Sequence, residues 1–314
     1  MEQAALRKRG APGDQPALSR RATKRKRAGF ILVCLLPALL LYCNFMVRPA
    51  ISMLSTSFFK WSGLSPNKTF VGWKNYDMLI HDAKFWQAFG NTLYLMVAVT
   101  VITLALSLFF AAALSRTRLR EKNFYRVVYF FPNVLSIVVI GTLFKNIYST
   151  NNGILNATLR AVGLGQWAHG WLGEAQTVLP AIAVAMVWQA VGYYMVIYMA
   201  GMDGIDESIY EAAGIDGAGK VRQFFSLTIP LIWETIRVTL VFFVVSTINM
   251  SFLFVTTMTM GEPDGASEVA LSYMYKQGFT NANFGYGMTV ATVIFLFAFI
   301  LSSISNALTK RKEL

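Results

Sequence analysis

The 314 residues are 55% hydrophobic and only 14% charged, with a formal net charge of +12 and a mean hydropathy of +0.48. This composition excludes an ordinary water-soluble domain and makes the bilayer the default solvent. Two cysteines and two histidines leave no material for a disulfide framework or a Cys/His metal scaffold.

The first 28 residues are polar, hold Arg7, Lys8, Arg9, Arg20, Arg21, Lys24, Arg25, Lys26 and Arg27, and include Pro12, Gly13 and Pro16. A disordered basic tail facing anionic lipid is expected there. No aromatic residue precedes Phe30, which argues against nucleic-acid binding. Spanning takes about 20 mostly apolar residues, and six runs qualify: 30–55, 89–114, 127–148, 178–201, 231–258 and 286–308. None alternates as a strand does, so the expected fold is an all-α membrane protein, with six transmembrane helices in one domain over 29–314. The first run is too long for a signal peptide and lacks a small-residue cleavage site, so it is expected to stay in the mature protein. Cys34 and Cys43 lie nine positions apart in it, about 13 Å along a helix, too far to pair.

Between the first two spans, Trp61, Trp73 and Trp86 read as rings at the membrane-water boundary. The next connection carries Arg116, Arg118, Arg120, Lys122 and Arg126, and the chain ends in Lys310, Arg311 and Lys312. With the basic tail, these segments belong on the cytoplasmic side, so both termini are expected inside. The alternate connections are long and poor in basic residues. The third is turn-rich around Asn151-Asn152-Gly153 and is expected to hold a short surface helix. His81 and His169 are far apart without nearby ligands, so no metal site is expected.

The most informative stretch is the connection over 202–230, which gathers Asp203, Asp206, Glu207, Glu211 and Asp216 on this basic chain. Within it, Glu211-Ala212-Ala213-Gly214-Ile215-Asp216-Gly217 reads as an acidic, small-residue helix that another protein can approach closely. Gly214 to Lys220 also fits the first seven positions of a phosphate-binding loop, but Val221 stands where a magnesium-ligating Ser or Thr is needed and a helix precedes it. ATP hydrolysis by this chain is therefore not expected. Ser208 and Glu211 have capping-box spacing, and Asp206 is an alternative cap.

With Ile229-Pro230 following, the stretch closely resembles the EAA loop of permease subunits in binding-protein-dependent ABC importers. Phe58-Phe59-Lys60-Trp61 and Phe70-Val71-Gly72-Trp73 resemble the sugar-permease branch of that family, and the likeness runs from about Phe30 to Leu308. The resemblance implies the type I permease fold and a place in a prokaryotic cell membrane. It implies a second, related permease as heterodimer partner, two ATP-binding subunits on the cytoplasmic face, and an extracytoplasmic binding protein that delivers a carbohydrate. It assigns Glu211, Ala212, Ala213, Gly214, Asp216 and Gly217 to ATPase coupling, with Gly214 permitting the turn that ends the coupling helix. No cofactor and no catalytic residue are implied.

Polar groups inside spans need a partner or a cavity. Trp188, Gln189 and Tyr193 in the fourth span and Asn249 and Phe252 in the fifth suit a sugar, which stacks on aromatic faces and bonds amides and hydroxyls. Interhelical packing is the alternative. An importer of another solute, such as glycerol phosphate or a polyamine, stays open. A secondary transporter is disfavoured because the only acidic residue in a span is Glu234, at the start of the fifth.

Overall fold

A computed structural model describes residues 17–115 and 121–309. The chain divides after Ser55 into two units. The first contains the helix Ala17–Tyr42, which runs through a π-helical turn, Cys43–Val47, into Arg48–Thr56. Its apolar part, Phe30–Thr56, has 27 residues, enough to cross a bilayer. Residues 17–28, part of the expected basic tail, are helical among the described residues. Ala, Leu, Arg and Lys are strong helix formers and extend the helix on the N-terminal side of the first span. Residues 1–16, the basic 116–120 and the terminal 310–314 lie outside the described residues.

In the second unit, four straight helices are long and apolar enough to span: Ala83–Ser115, Val178–Asp203, Trp233–Met258 and Phe284–Ala307. The third predicted span, 127–148, is not one helix. It is two, Lys122–Val134 and Ile137–Ile147, bent by 98°. Pro132 has no N–H to offer the preceding turn. Leu135 and Ser136 then turn extended, with ψ of 145° and 139°. Counting the bent pair as one crossing, the described residues make six.

Val178–Asp203 is the centre of this unit, packed by the second span, by Lys122–Val134 and by the fifth span. Its buried Ala181, Ala183, Ala185 and Ala190 let neighbouring backbones come close. Gly192 is the tightest point: a β-carbon there would lie 1.8 Å from the Tyr129 carbonyl oxygen. A second apolar cluster joins Phe85, Ala88 and Met96 to Tyr273, Tyr286 and Val290.

Asp82 ties that cluster together. It accepts from the Tyr273 and Tyr286 hydroxyls and from the backbone N–H groups of Lys84 (3.0 Å) and Phe85 (3.3 Å) at the start of the second span. Burial pushes its pKa up, but these four donors outweigh burial and hold it below the ordinary aspartate value. Burial and the Asp82 bond push the Tyr273 phenol up.

One short ladder accompanies the all-α fold. Phe59–Lys60 and Thr69–Phe70 pair as a two-residue antiparallel ladder, in register Phe59 with Phe70. The third connection holds the expected short helix, Ile154–Ala161. His81 lies by Asp77, and His169 lies 3.3 Å from Glu174. No metal-binding cluster occurs among the described residues.

Candidate functional site

The loop between the fourth and fifth spans forms a helix, Glu207–Ile215. Its N-cap is Asp206, whose carboxylate accepts from the Ser208 N–H at 2.9 Å. That bond holds the Asp206 pKa below its ordinary value. Ser208 lies inside the helix, so the Ser208–Glu211 capping box does not form; Asp206, three positions after the end of the fourth span, reaches the free N–H groups first. Gly214 does not end the helix either. The chain runs on to Ile215, and Gly217, at φ +77°, takes the left-handed turn that only glycine adopts without strain.

Glu207, Glu211 and Ile215 are four apart and share a stripe. Glu211, Ala212, Gly214, Asp216 and Gly217 are all exposed, and Ala213 is half-buried. Ile215, which the sequence reading passed over, is 88% exposed. A branched aliphatic amid acids and small residues was the available sign. Gln223 is buried beyond the turn, donating to the Ala218 carbonyl at 2.9 Å and to that of Tyr210 at 3.4 Å. The Tyr210 hydroxyl meets Thr228 Oγ1 at 2.9 Å. At the near end of the loop, Asp203 takes a bond from the Ser115 hydroxyl at 2.5 Å and an ion pair from Lys122 at 3.4 Å.

A second candidate site is an open hollow on the face of the bundle, where Tyr193 and Asn249 are exposed. A cavity of about 330 Å³ is lined by Gln189, Tyr193 and Asn249, together with Asn133, Ser246 and apolar neighbours. Gln189 is eleven residues from the Val178 end of its helix and Asn249 nine from the Met258 end, about 17 and 14 Å of rise. Both are near mid-depth. Among the described residues, the side chains of Asn133, Gln189, Tyr193 and Asn249 make no hydrogen bond to protein. Thr247 and Ser251 behave differently: they are buried and bond back to their own helix, at Phe243 O (2.7 Å) and Ile248 O (2.8 Å).

Trp188 and Phe252 do not join this cavity. Trp188 points to a different face of its helix and packs on Phe144 at 5.5 Å, and Phe252 packs on Tyr275 at 6.2 Å. One residue's shift along a helix turns a side chain by about 100°, which separates Trp188 from Gln189. Asn133 was missed because the third span read as continuous. It lies in the last turn of Lys122–Val134, just before the break.

Residues 110–313 match the family model described as "Binding-protein-dependent transport system inner membrane component". The chain is 38% identical over 272 residues to the probable ABC transporter permease protein YurN of Bacillus subtilis, covering 85% of this chain and 91% of that one. It is 31% identical over 302 residues to the diacetylchitobiose uptake system permease protein NgcF of Streptomyces coelicolor, covering 92% and 85%. Its fold is similar to a chain in the crystal structure of a bacterial alginate ABC transporter in complex with an alginate pentasaccharide-bound periplasmic protein, with TM-score 0.81 and 20% identity over 92% of this chain and 96% of that one. With its apolar helices, its broken third span and its acidic loop helix, this chain belongs to the family of inner-membrane permease components of binding-protein-dependent ABC transport systems.

Proposed function

We propose that the chain is the translocation subunit of an ABC importer for a carbohydrate. The observation that carries this is the mid-depth cavity whose amides and hydroxyl have no protein partner. Unpaired polar groups at membrane depth are costly, so they belong on a path that carries water or a polar solute. No Lys, Arg, Asp or Glu lines the cavity. A neutral, hydroxyl-rich solute fits this lining, whereas glycerol phosphate or a polyamine would be desolvated without a counter-charge. The diacetylchitobiose system of the NgcF relative supports the same class.

In this reading the loop helix Glu207–Ile215 is the coupling helix. Glu211 and Asp216 offer carboxylates to basic residues of an ATP-binding subunit, Ala212, Ala213, Gly214 and Gly217 allow close approach, and Ile215 inserts into an apolar pocket there. Two such ATPases supply the energy and this chain hydrolyses nothing. A second permease covers the exposed apolar strip of the fifth span, Val238, Phe242 and Leu253, beside the cavity. A binding protein delivers the sugar from outside, and both termini lie in the cytoplasm with the coupling helix. ATP-driven closure of the ATPase pair then shifts the spans between inward- and outward-facing states.

The test is uptake by cells that make this chain with its partner subunits, supplied in parallel with labelled disaccharides, glycerol phosphate and spermidine. Uptake of a disaccharide alone is expected. Uptake of either charged solute in its place would overturn the carbohydrate reading.

A further inference from the structure

Tyr210 is held twice by the segment that follows the turn. Its hydroxyl meets Thr228 Oγ1 at 2.9 Å, and its backbone carbonyl accepts from Gln223 Nε2 at 3.4 Å. The same Gln223 amide donates to Ala218 O at 2.9 Å, and Thr228 Oγ1 lies 3.5 Å from the Gln223 carbonyl. Gln223 and Thr228 are 7% and 1% exposed. Buried bonds of this kind keep the geometry of what they join, because breaking one leaves a desolvated polar group. The loop helix and residues 220–231 are thus cross-linked by side chains on both sides of the turn. The chain then enters the fifth span at Trp233 after one further break at Ile232. Towards the fourth span, the connection to the loop helix is the three residues Gly204, Ile205 and Asp206 between helix ends.

We propose that Tyr210, Gln223 and Thr228 form a clamp that makes the coupling helix and the start of the fifth span one rigid lever, so that movement at the ATPase enters the membrane through the fifth span. The three are positioning residues: none belongs to the exposed docking stripe. This inference rests on the reading of Glu207–Ile215 as the ATPase dock.

The test uses the complex purified with its ATPase subunits. Cys34 and Cys43 are replaced by Ser, and nitroxide labels are attached at Ser208 and at the exposed Glu234 at the start of the fifth span. Distance distributions are recorded without nucleotide and after trapping with Mg-ATP and vanadate. The expected result is a narrow distribution in both states for the parent. Tyr210→Phe and Thr228→Val should each at least double its width and lower sugar uptake per ATP hydrolysed at least fivefold, while the ATPase still co-purifies. Thr228→Ser keeps the hydroxyl and should restore the parent width, and the double variant should be no broader than either single one. Unchanged widths in both single variants would overturn the clamp. So would loss of the ATPase from Tyr210→Phe or Thr228→Val, since the residues would then serve only the folding of the dock. The docking reading fails separately, if Glu211→Lys retains the ATPase.

Discussion

The Tyr129 carbonyl oxygen occupies the space where a β-carbon on Gly192 would stand, with 1.8 Å between them. This contact brings Lys122–Val134 against the fourth span one turn from Gln189, so it sets both the crossing and one wall of the cavity. Because the obstacle is backbone, no rotamer change relieves it. Gly192→Ala is expected to cost at least about 1–3 kcal/mol, the usual range for overpacking. Thermal unfolding of the detergent-solubilised protein checks this: a midpoint equal to the parent's would mean that the two helices separate freely.

Glu211 and Ile215 share the exposed stripe of the loop helix. Glu211→Lys reverses a charge where a basic partner is expected, and Ile215→Asp removes an apolar knob that is 88% exposed. Each should abolish co-purification of the ATPase while membrane insertion is unaffected. Asp206→Ala should act more mildly, since losing an N-cap costs about 1 kcal/mol. Retention of the ATPase by Glu211→Lys would remove this surface from coupling, and retention by Ile215→Asp alone would remove the apolar knob from it.

Acid should loosen the end of the bundle around Asp82, where the second span begins. Its folded pKa lies below the ordinary 3.8, so its stabilising effect is complete above the unfolded value and is lost as pH falls from about 4 through the folded pKa. Thermal midpoints taken from pH 6 to 3 should fall in this acid range. In Asp82→Asn the fall should be smaller, because the group no longer titrates. Parallel curves for the two proteins would assign the acid loss elsewhere.

Orientation is testable on the exposed residues Phe70, Trp167 and Asp216. In a background without Cys34 and Cys43, cysteines at positions 70 and 167 should react with an impermeant maleimide in intact cells. A cysteine at 216 should react only after permeabilisation. The reverse pattern would invert the proposed topology.

Much of this architecture is legible in the chain because it follows from apolar run length: five spans run as single helices close to their expected bounds. The third failed because its composition suits a membrane helix and only Pro132 marks the break; a proline inside a span is often tolerated, and the extended Leu135 and Ser136 carry no signature of their own. At the loop, the acidic helix was readable from its residues, but two glycines competed for the turn. Gly214 was favoured by its motif, whereas Gly217 has the positive φ. Its position depends on where the helix stops, which Ala218 N bonding back to Ala213 O determines at 2.9 Å. In the cavity, Gln189, Tyr193 and Asn249 were found because amides and phenols stand out in an apolar run. Trp188 and Phe252 were included because aromatic type carries no facing information.

That division within the fourth and fifth spans gives the sharpest test of the pathway. Gln189, Tyr193 and Asn249 meet in one cavity and have no protein hydrogen bond among the described residues, so their polar groups are free for solute. Trp188 and Phe252 sit on the same two helices at similar depth but pack on Phe144 and Tyr275. A hydrogen bond is worth about 0.5–1.5 kcal/mol, about a two- to tenfold change in apparent affinity. Gln189→Ala, Tyr193→Phe and Asn249→Ala should therefore each raise the KM for sugar uptake by that factor, with the ATPase still bound. Trp188→Phe and Phe252→Leu keep the apolar character of sites off the path and should leave KM within twofold. If instead the Trp188 and Phe252 variants shifted KM and the three cavity variants did not, the solute would run along the other face of the fourth span, and the cavity would be a seam between helices.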